Sequence, residues 1–132
     1  MLTDPRDAVL AVSRLAGAAL ALQTIELLAV RRVAADDGVW PLEIVRCDFD
    51  VFPRSVRWLL DRLLAYRVFV ALLAVRLVAA LTLLVAPHAA AVLFLLASQV
   101  LIALRWRGSF NGGSDFMTLI VLVGLAVATA WP

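Results

Sequence analysis

The chain has 132 residues, of which 64% are apolar and 17% charged, and its formal net charge is +2. Soluble domains are about 45–50% apolar, and a chain this short cannot bury the excess in a water-soluble core. The small net charge argues against a nucleic-acid partner, and the single cysteine, Cys47, excludes an internal disulfide. The apolar residues are gathered into long runs, which predicts an integral membrane protein.

The first apolar run covers residues 8–30 and, at ~1.5 Å per residue, is long enough to cross a hydrocarbon core of ~30 Å. We expect Asp4 to cap this helix and Pro5 to lie in its first turn. Because the run has no basic region before it and no small-residue cleavage site after it, we predict a retained helix rather than a signal peptide. Gly17 and Ala21 form a small-residue face that favours close packing against another helix.

Residues 31–53 form the only sizeable polar stretch, and together with the segment that follows they are predicted to make a loop over residues 31–67. Its segment 47–53 alternates polar and apolar residues and is expected to be extended. Residues 55–67 have leucines on one side of a helix and charged residues on the other, which predicts an amphipathic segment at the membrane surface before the second span. Arg57 and Asp61 are expected to form an i,i+4 pair on this helix.

Three further spans are predicted at residues 68–86, 89–104 and 116–131. A turn at Pro87 separates the first two of these, and the loop 105–115 precedes the last. The predicted fold is therefore all-α, a single domain over the whole chain, in which four transmembrane helices form a bundle.

The basic residues, all of them arginine, are distributed unequally between the two ends of the predicted spans. Segments 31–67 and 105–115 hold Arg31, Arg32, Arg46, Arg54, Arg57, Arg62, Arg67, Arg105 and Arg107. The opposite end holds Arg6, with Arg14 inside the first span. Because cytoplasmic loops of membrane proteins are rich in Lys and Arg, we expect both segments in the cytoplasm and both termini outside a bacterial-type inner (plasma) membrane.

Polar residues inside a span need a partner or a function, because burying a charge in a membrane is costly. Glu26, Arg76 and Gln99 lie at similar depths in the first three spans, whereas Arg14 lies ~18 Å from Glu26 along the axis. We therefore predict a cluster of Glu26, Arg76 and Gln99. Three interpretations are open: a buried ion pair that fixes helix register, a site for a quinone or lipid head group, or an Arg76 that reaches towards the lipid surface.

The loop RWRGSFNGGSD (residues 105–115) contains two arginines and a Gly–Gly pair before the start of the last helix. Backbone N–H groups at a helix start, with arginines nearby, can hold an anion or a lipid head group. The residues of this candidate site are Arg105, Arg107, Gly112, Gly113 and Ser114. Asp115 opposes it by competing for the same donors, and the alternative is a tight turn in which Ser114 or Asp115 caps the helix.

The arrangement of these segments resembles two families of membrane proteins. An Arg-bearing first helix, an amphipathic entry to the second, and a third helix that ends in RxR before NGGSD resemble the first half of the HTTM family, which is related to vitamin K-dependent gamma-carboxylase. The plan of four helices is also similar to the DoxX/MauE group, which is associated with quinone-linked or redox-maturation systems. The resemblance implies the topology, but not the carboxylase activity, since that family uses a lysine base and this chain contains no lysine.

Two functional hypotheses follow from the sequence. The first is a non-catalytic membrane subunit or assembly factor of a larger membrane complex, because no catalytic or metal-binding motif is present. The second is a small redox component that binds a quinone or a lipid through Glu26, Arg76 and Gln99. Both hypotheses imply the lipid bilayer as a partner, and the first adds other membrane protein subunits.

Overall fold

The computed structural model describes residues 4–106 and 113–130, and within these residues the secondary structure is helical, without strands. In chain order, the helices are α1 (Pro5–Ala29), α2 (Leu42–Arg46), α3 (Arg54–Leu63), α4 (Tyr66–Val85), α5 (Ala89–Arg105) and α6 (Gly113–Ala130). The predicted all-α class is confirmed. Each predicted span coincides with one of the four long helices, and the predicted amphipathic helix is present as α3.

The start of α1 follows from its local sequence. The Asp4 carboxylate accepts a hydrogen bond from the backbone N–H of Arg6 at 2.9 Å, and Pro5 occupies the first turn. A side-chain acceptor at this position satisfies one of the N–H groups that a helix start leaves free, and the fixed φ of proline suits the first turn. Both expectations for Asp4 and Pro5 are confirmed.

The four long helices form an up-and-down arrangement. Gly17 of α1 lies against Ala80 and Leu83 of α4, whereas Thr24, further along α1, bonds Arg76, which comes earlier in α4. The two helices are therefore antiparallel. The short connection of residues 86–88 makes α4 and α5 antiparallel neighbours. Helix α5 packs on α4 and on α6, whereas α1 and α6 meet over a short stretch only. The bundle therefore has a loosely closed seam between α1 and α6.

Two apolar clusters fill the interior. The cluster between the four long helices contains Leu20, Ala21, Ala80, Leu83, Val92, Leu95, Leu122 and Leu125. The cluster at the end that holds the α1–α4 connection contains Ala34, Leu42, Val45, Phe49, Leu60, Leu64, Phe69, Leu73, Ile102 and Trp106. The connection is thus packed against the bundle rather than loosely attached to it.

The prediction of an extended segment at residues 47–53 is wrong. Cys47–Val51 forms a short 3-10 helix that directs Phe49 inwards, where it is 1% exposed. Phe49 packs in the same cluster as Val45 and Leu60. Burial of one large aromatic side chain among these residues favours the compact turn over an extended strand.

The predicted pair of Arg57 with Asp61 is also wrong. Arg57 pairs with Asp50 at 2.9 Å, and Asp61 pairs with Arg46 at 2.7 Å. Both pairs are exposed, and such pairs contribute only ~0–1 kcal/mol. They join α3 to the preceding short helices, so they orient the connection more than they stabilise it.

The surface of the long helices is predominantly apolar. Arg6–Ala29 and Tyr66–Val85 are long and apolar enough to cross a membrane, and Ala89–Arg105 and Asp115–Ala130 are shorter apolar helices. In the two longer helices, only 28% of the apolar window is buried against the rest of the protein. Their side chains therefore present a large apolar surface to the surroundings.

At Gly17 the backbone of α1 comes close to α4, as the small-residue face predicted. A Cβ at this position would lie 2.8 Å from the carbonyl oxygen of Ala80, which is a backbone atom that cannot easily move. Gly124 on α6 is a natural control, because a Cβ there meets nothing within 4 Å.

We expect Gly17→Ala to lower the free energy of unfolding by about 1–3 kcal/mol through overpacking. Gly124→Ala should leave it unchanged or raise it by ~0.5–1 kcal/mol, because alanine is the better helix former. Thermal unfolding followed by circular dichroism under identical conditions tests this. Equal effects of the two substitutions would contradict the close contact at Gly17.

Candidate functional site: a buried polar network between the long helices

Arg76 lies ten residues after the first residue of α4 and is 0% exposed. Its Nε–H donates to Thr24 Oγ1 (3.1 Å), Nη1 donates to Ser98 Oγ (2.7 Å) and to the Leu95 carbonyl (3.3 Å), and Nη2 donates to the Oε1 atoms of Gln23 (3.0 Å) and Gln99 (2.5 Å). A guanidinium group has five N–H donors in a fixed plane. All five donors of Arg76 are therefore used inside the protein.

Two glutamines connect this arginine to a carboxylate. The Nε2 atoms of Gln23 and Gln99 donate to Asp115 Oδ1 at 3.3 and 3.2 Å. Each amide thus accepts from Arg76 with its oxygen and donates to Asp115 with its nitrogen. The arginine and the carboxylate also attract each other electrostatically. The positive charge of Arg76 is balanced by Asp115 through two neutral amides rather than by direct contact.

The two hydroxyl groups of the network are also satisfied. Thr24 Oγ1 donates to the Leu20 carbonyl at 2.6 Å, and Ser98 Oγ donates to the Leu95 carbonyl at 2.9 Å. Both donors return to the preceding turn of their own helix, which leaves the oxygen free to accept from Arg76. The network joins α1, α4, α5 and α6, so it fixes the register of all four long helices.

The predicted cluster of Glu26, Arg76 and Gln99 is brought together in part. Arg76 bonds Gln99, as predicted, but Glu26 is exposed, and no ion pair joins it to Arg76 within the described residues. The polar partners that sequence reasoning missed are Gln23, Thr24, Ser98 and Asp115. Gln23 and Thr24 were recognisable only as polar residues one turn or less from Glu26.

A cavity of about 350 Å³ adjoins the network between α1, the end of α5 and the start of α6. Gln23, Glu26 and Asp115 form its polar wall, and Leu27 and Ile102 belong to its apolar wall. Arg76 does not line it. Since ionised carboxylates only accept hydrogen bonds, this cavity suits a group that donates hydrogen bonds or carries a positive charge.

Arg105 is the second fully buried arginine, and its hydrogen bonds go to the backbone of the α1–α4 connection. Its Nη2 donates to the carbonyl oxygens of Ala34 (2.8 Å) and Trp40 (3.0 Å), and its guanidinium carbon lies 6.0 Å from the Trp106 ring. Nε and Nη1 have no hydrogen-bond partner among the residues that the structure describes, and Asp36 attracts the group electrostatically. Arg105 therefore ties the segment after α1 to the end of α5.

The other residues of the predicted anion site are only partly described. Gly113 and Ser114 are the first two residues of α6, whereas Arg107 and Gly112 lie outside the described residues. Asp115 lies inside the first turn of α6, where its carboxylate accepts from the two glutamines. The anion site stays a prediction, and Arg105 has an alternative use in holding the connection.

Comparisons with protein-family models, with curated proteins and with solved structures found no match for this chain. The resemblance to the HTTM and DoxX/MauE families stays a prediction. Within residues 4–106 and 113–130, no group of three or more His, Cys, Asp or Glu residues is arranged to hold a metal ion.

We expect Arg76→Met to lower the free energy of unfolding by about 3 kcal/mol, because it leaves the buried partners of a charged group unpaired. Arg76→Lys should have an intermediate effect, since lysine retains the charge but has three donors instead of five. Arg14→Met is the control, because Arg14 is an exposed arginine of an apolar helix. Chemical unfolding in mild detergent measures the differences, and equal effects at positions 76 and 14 would contradict the network.

We expect Arg105→Ala to speed amide hydrogen exchange in residues 34–40 by about tenfold or more, because the connection loses its anchor to α5. Arg67→Ala, at an exposed arginine, should leave the exchange of the same residues unchanged. Mass spectrometry of peptides after deuterium labelling measures both. Unchanged protection of residues 34–40 in Arg105→Ala would show that Arg105 does not hold this segment.

Proposed function

We propose that the chain is an integral membrane protein of four transmembrane helices and that it is a non-catalytic subunit or assembly factor of a larger membrane complex. One observation carries the proposal: the protein encloses its polar network and exposes apolar side chains along its long helices. This distribution is the reverse of that in a water-soluble bundle, where the apolar face of each helix is buried.

The exposed apolar side chains occur on each of the four long helices. Leu15 is 73% exposed, Val78 is 61% exposed, Leu93 is 56% exposed and Ile120 is 65% exposed. Water-soluble monomers seldom expose large contiguous apolar patches, whereas here large apolar side chains are exposed on every long helix. In a bilayer, such side chains contact lipid tails, and the helical backbone satisfies its own hydrogen bonds.

The interior of the bundle supports a structural role more than a catalytic one. All five donors of Arg76 are used by groups of the protein itself. This arginine therefore has a structural role, because its bonds determine how the helices pack together. Interhelical hydrogen bonds of this kind are a common means of holding membrane helices together. A subunit that is recognised by its shape and its helix faces needs such a rigid interior.

The orientation in our proposal places both termini outside and the α1–α4 connection in the cytoplasm. The antiparallel helices bring this connection, the end of α5 and the start of α6 to the same end of the bundle. Exposed arginines of that end include Arg31, Arg32, Arg54 and Arg67. A basic cytoplasmic end is the usual arrangement in a plasma membrane, and the resemblance to HTTM and DoxX/MauE proteins implies the same plan of helices.

A second candidate function is binding of a lipid or a quinone, and the cavity of about 350 Å³ beside Glu26 favours it. The charges of the cavity count against this second candidate. The carbonyl oxygens of a quinone and the phosphate oxygens of a lipid require hydrogen-bond donors, whereas the charged groups of this cavity, Glu26 and Asp115, are acceptors. Solvent extraction of protein purified in mild detergent distinguishes the two candidates. A stoichiometric quinone supports the second, and a co-purified complex of defined mass without one supports the first.

Cys47 is exposed and reports on the proposed orientation without any engineering. We expect a membrane-impermeant maleimide to leave Cys47 unmodified in intact spheroplasts and to modify it in inside-out vesicles. A Cys47→Ser variant with Asp7→Cys, at an exposed position near the start of α1, should give the opposite pattern. Labelling of both positions from the same side would overturn the orientation, and a chain that is monodisperse in buffer without detergent would overturn the membrane proposal.

A further inference from the structure

A groove of about 610 Å³ runs between α1 and α6, and we call it the α1/α6 groove. It is lined by Val12, Ala16, Ala19 and Glu26 of α1 and by Met117 and Val121 of α6, among others. The groove is open because α1 packs mainly on α4 and α6 mainly on α5. Gln23 and Glu26 belong both to this groove and to the cavity that holds Asp115, so the two spaces adjoin.

The length of the α1/α6 groove favours a helix over an acyl chain. Val12 and Glu26 are fourteen residues apart, which corresponds to ~21 Å along the axis at ~1.5 Å per residue. One leaflet of a hydrocarbon core of ~30 Å accounts for only ~15 Å. The small side chains of Ala16 and Ala19 also permit the close backbone approach by which membrane helices pack.

The charge of the α1/α6 groove favours a basic occupant. Glu26 is exposed at one end of it and forms no ion pair within the described residues. Asp115, in the adjoining cavity, already accepts hydrogen bonds from two glutamines, so Glu26 is the carboxylate that still needs a partner. A carboxylate in an apolar span is costly unless it meets a cation or a donor. In a phospholipid the phosphate lies between the acyl chains and any amine of the head group, so the charge nearest a carboxylate in the apolar span would be one that Glu26 repels. A basic side chain of another protein brings no such anion.

A second copy of this chain does not complement the groove. In a two-fold symmetric pair of copies joined through this groove, residues at equal depth meet, so Glu26 of one copy would lie against Glu26 of the other. The exposed Arg14 lies twelve residues away on the same helix, or ~18 Å along the axis, which is too far to compensate. The complementary occupant is therefore a different polypeptide.

We propose that the α1/α6 groove docks a transmembrane helix of a partner subunit that carries an Arg or Lys side chain at the depth of Glu26, three residues before the end of α1. The basic side chain pairs with Glu26, and the apolar body of the helix closes the seam between α1 and α6. The inference rests on the proposed function, since it names the chemistry of the partner that such a subunit would bind.

Synthetic transmembrane peptides test the docking directly. Three Leu/Ala helices that differ only in an Arg, a Leu or a Glu at the depth of Glu26 are added to the full chain in phosphatidylcholine vesicles, and binding is measured by energy transfer between fluorophores. We expect the Arg peptide to bind at least about tenfold more tightly than the Leu peptide, and the Glu peptide most weakly. Glu26→Gln should reduce the preference for Arg to within about twofold.

Two tryptophan substitutions provide matched controls for shape. Ala19→Trp fills the α1/α6 groove at an exposed position and should abolish binding of the Arg peptide. Val78→Trp, on an exposed face of α4 outside the groove, should not change it. Circular dichroism spectra identical to that of the unmodified chain show that both variants are folded.

Equal binding of the Arg and Leu peptides, or an unchanged preference in Glu26→Gln, would overturn the docking proposal. A stoichiometric phospholipid or a dimer of this chain, detected by native mass spectrometry and lost in Ala19→Trp but retained in Val78→Trp, would overturn it in favour of that occupant. The Cys47 labelling separates this outcome from failure of the proposed function. A chain that inserts as expected but does not prefer the Arg peptide refutes the docking alone.

Discussion

The structure depends on the burial of one guanidinium group between apolar helices. Arg76 is fully buried in the middle of α4, where an unpaired charge would be far more costly than the folded state could tolerate. Acceptors on α1 and α5 satisfy its five donors, and the carboxylate of Asp115 on α6 balances its charge through Gln23 and Gln99. A fully satisfied network of this kind specifies one arrangement of its helices, because sliding or rotating any of them breaks several bonds together.

The remaining features follow from that arrangement. With Thr24 fixed on Arg76, α1 must lie close to α4, and Gly17 supplies the room where the two backbones approach. The contacts of α1 with α4, and of α6 with α5, leave the seam between α1 and α6 only partly closed. Glu26 lies at this seam, outside the network, so the satisfied polar network of Arg76 adjoins an apolar groove that has one exposed carboxylate at its end.

Sequence reasoning predicted the long helices and their bounds to within a few residues, because long apolar runs have few alternatives. It also predicted that Arg76 and Gln99 lie at the same level of the bundle, since position along a helix axis follows from the rise per residue. The rotation of α1 about its own axis, which decides the residues that face α4, was not predictable. With ~3.6 residues per turn, Gln23 and Thr24 reach Arg76 of α4, whereas Glu26 faces the seam. Thr24 and Ser98 gave no signal, because hydroxyl groups in helices often bond only their own backbone. The alternation in residues 47–53 fitted a short 3-10 turn as well as a strand, and periodicity over so few residues does not distinguish them.

The order in which the partners of Arg76 occur along the chain has a consequence for biogenesis. Synthesis delivers α1 and α4 first, and at that stage Thr24 and Gln23 satisfy the Nε–H and one Nη2–H, whereas the acceptors on Ser98, Leu95 and Gln99 have not yet been made. If α1 and α4 paired alone in the bilayer, three of the five N–H donors of Arg76 would have no acceptor. In the membrane setting that we propose, the pair of α1 and α4 stays near the aqueous boundary or beside the translocation machinery until α5 has been synthesised. Insertion and folding of this chain then take place together, late in synthesis.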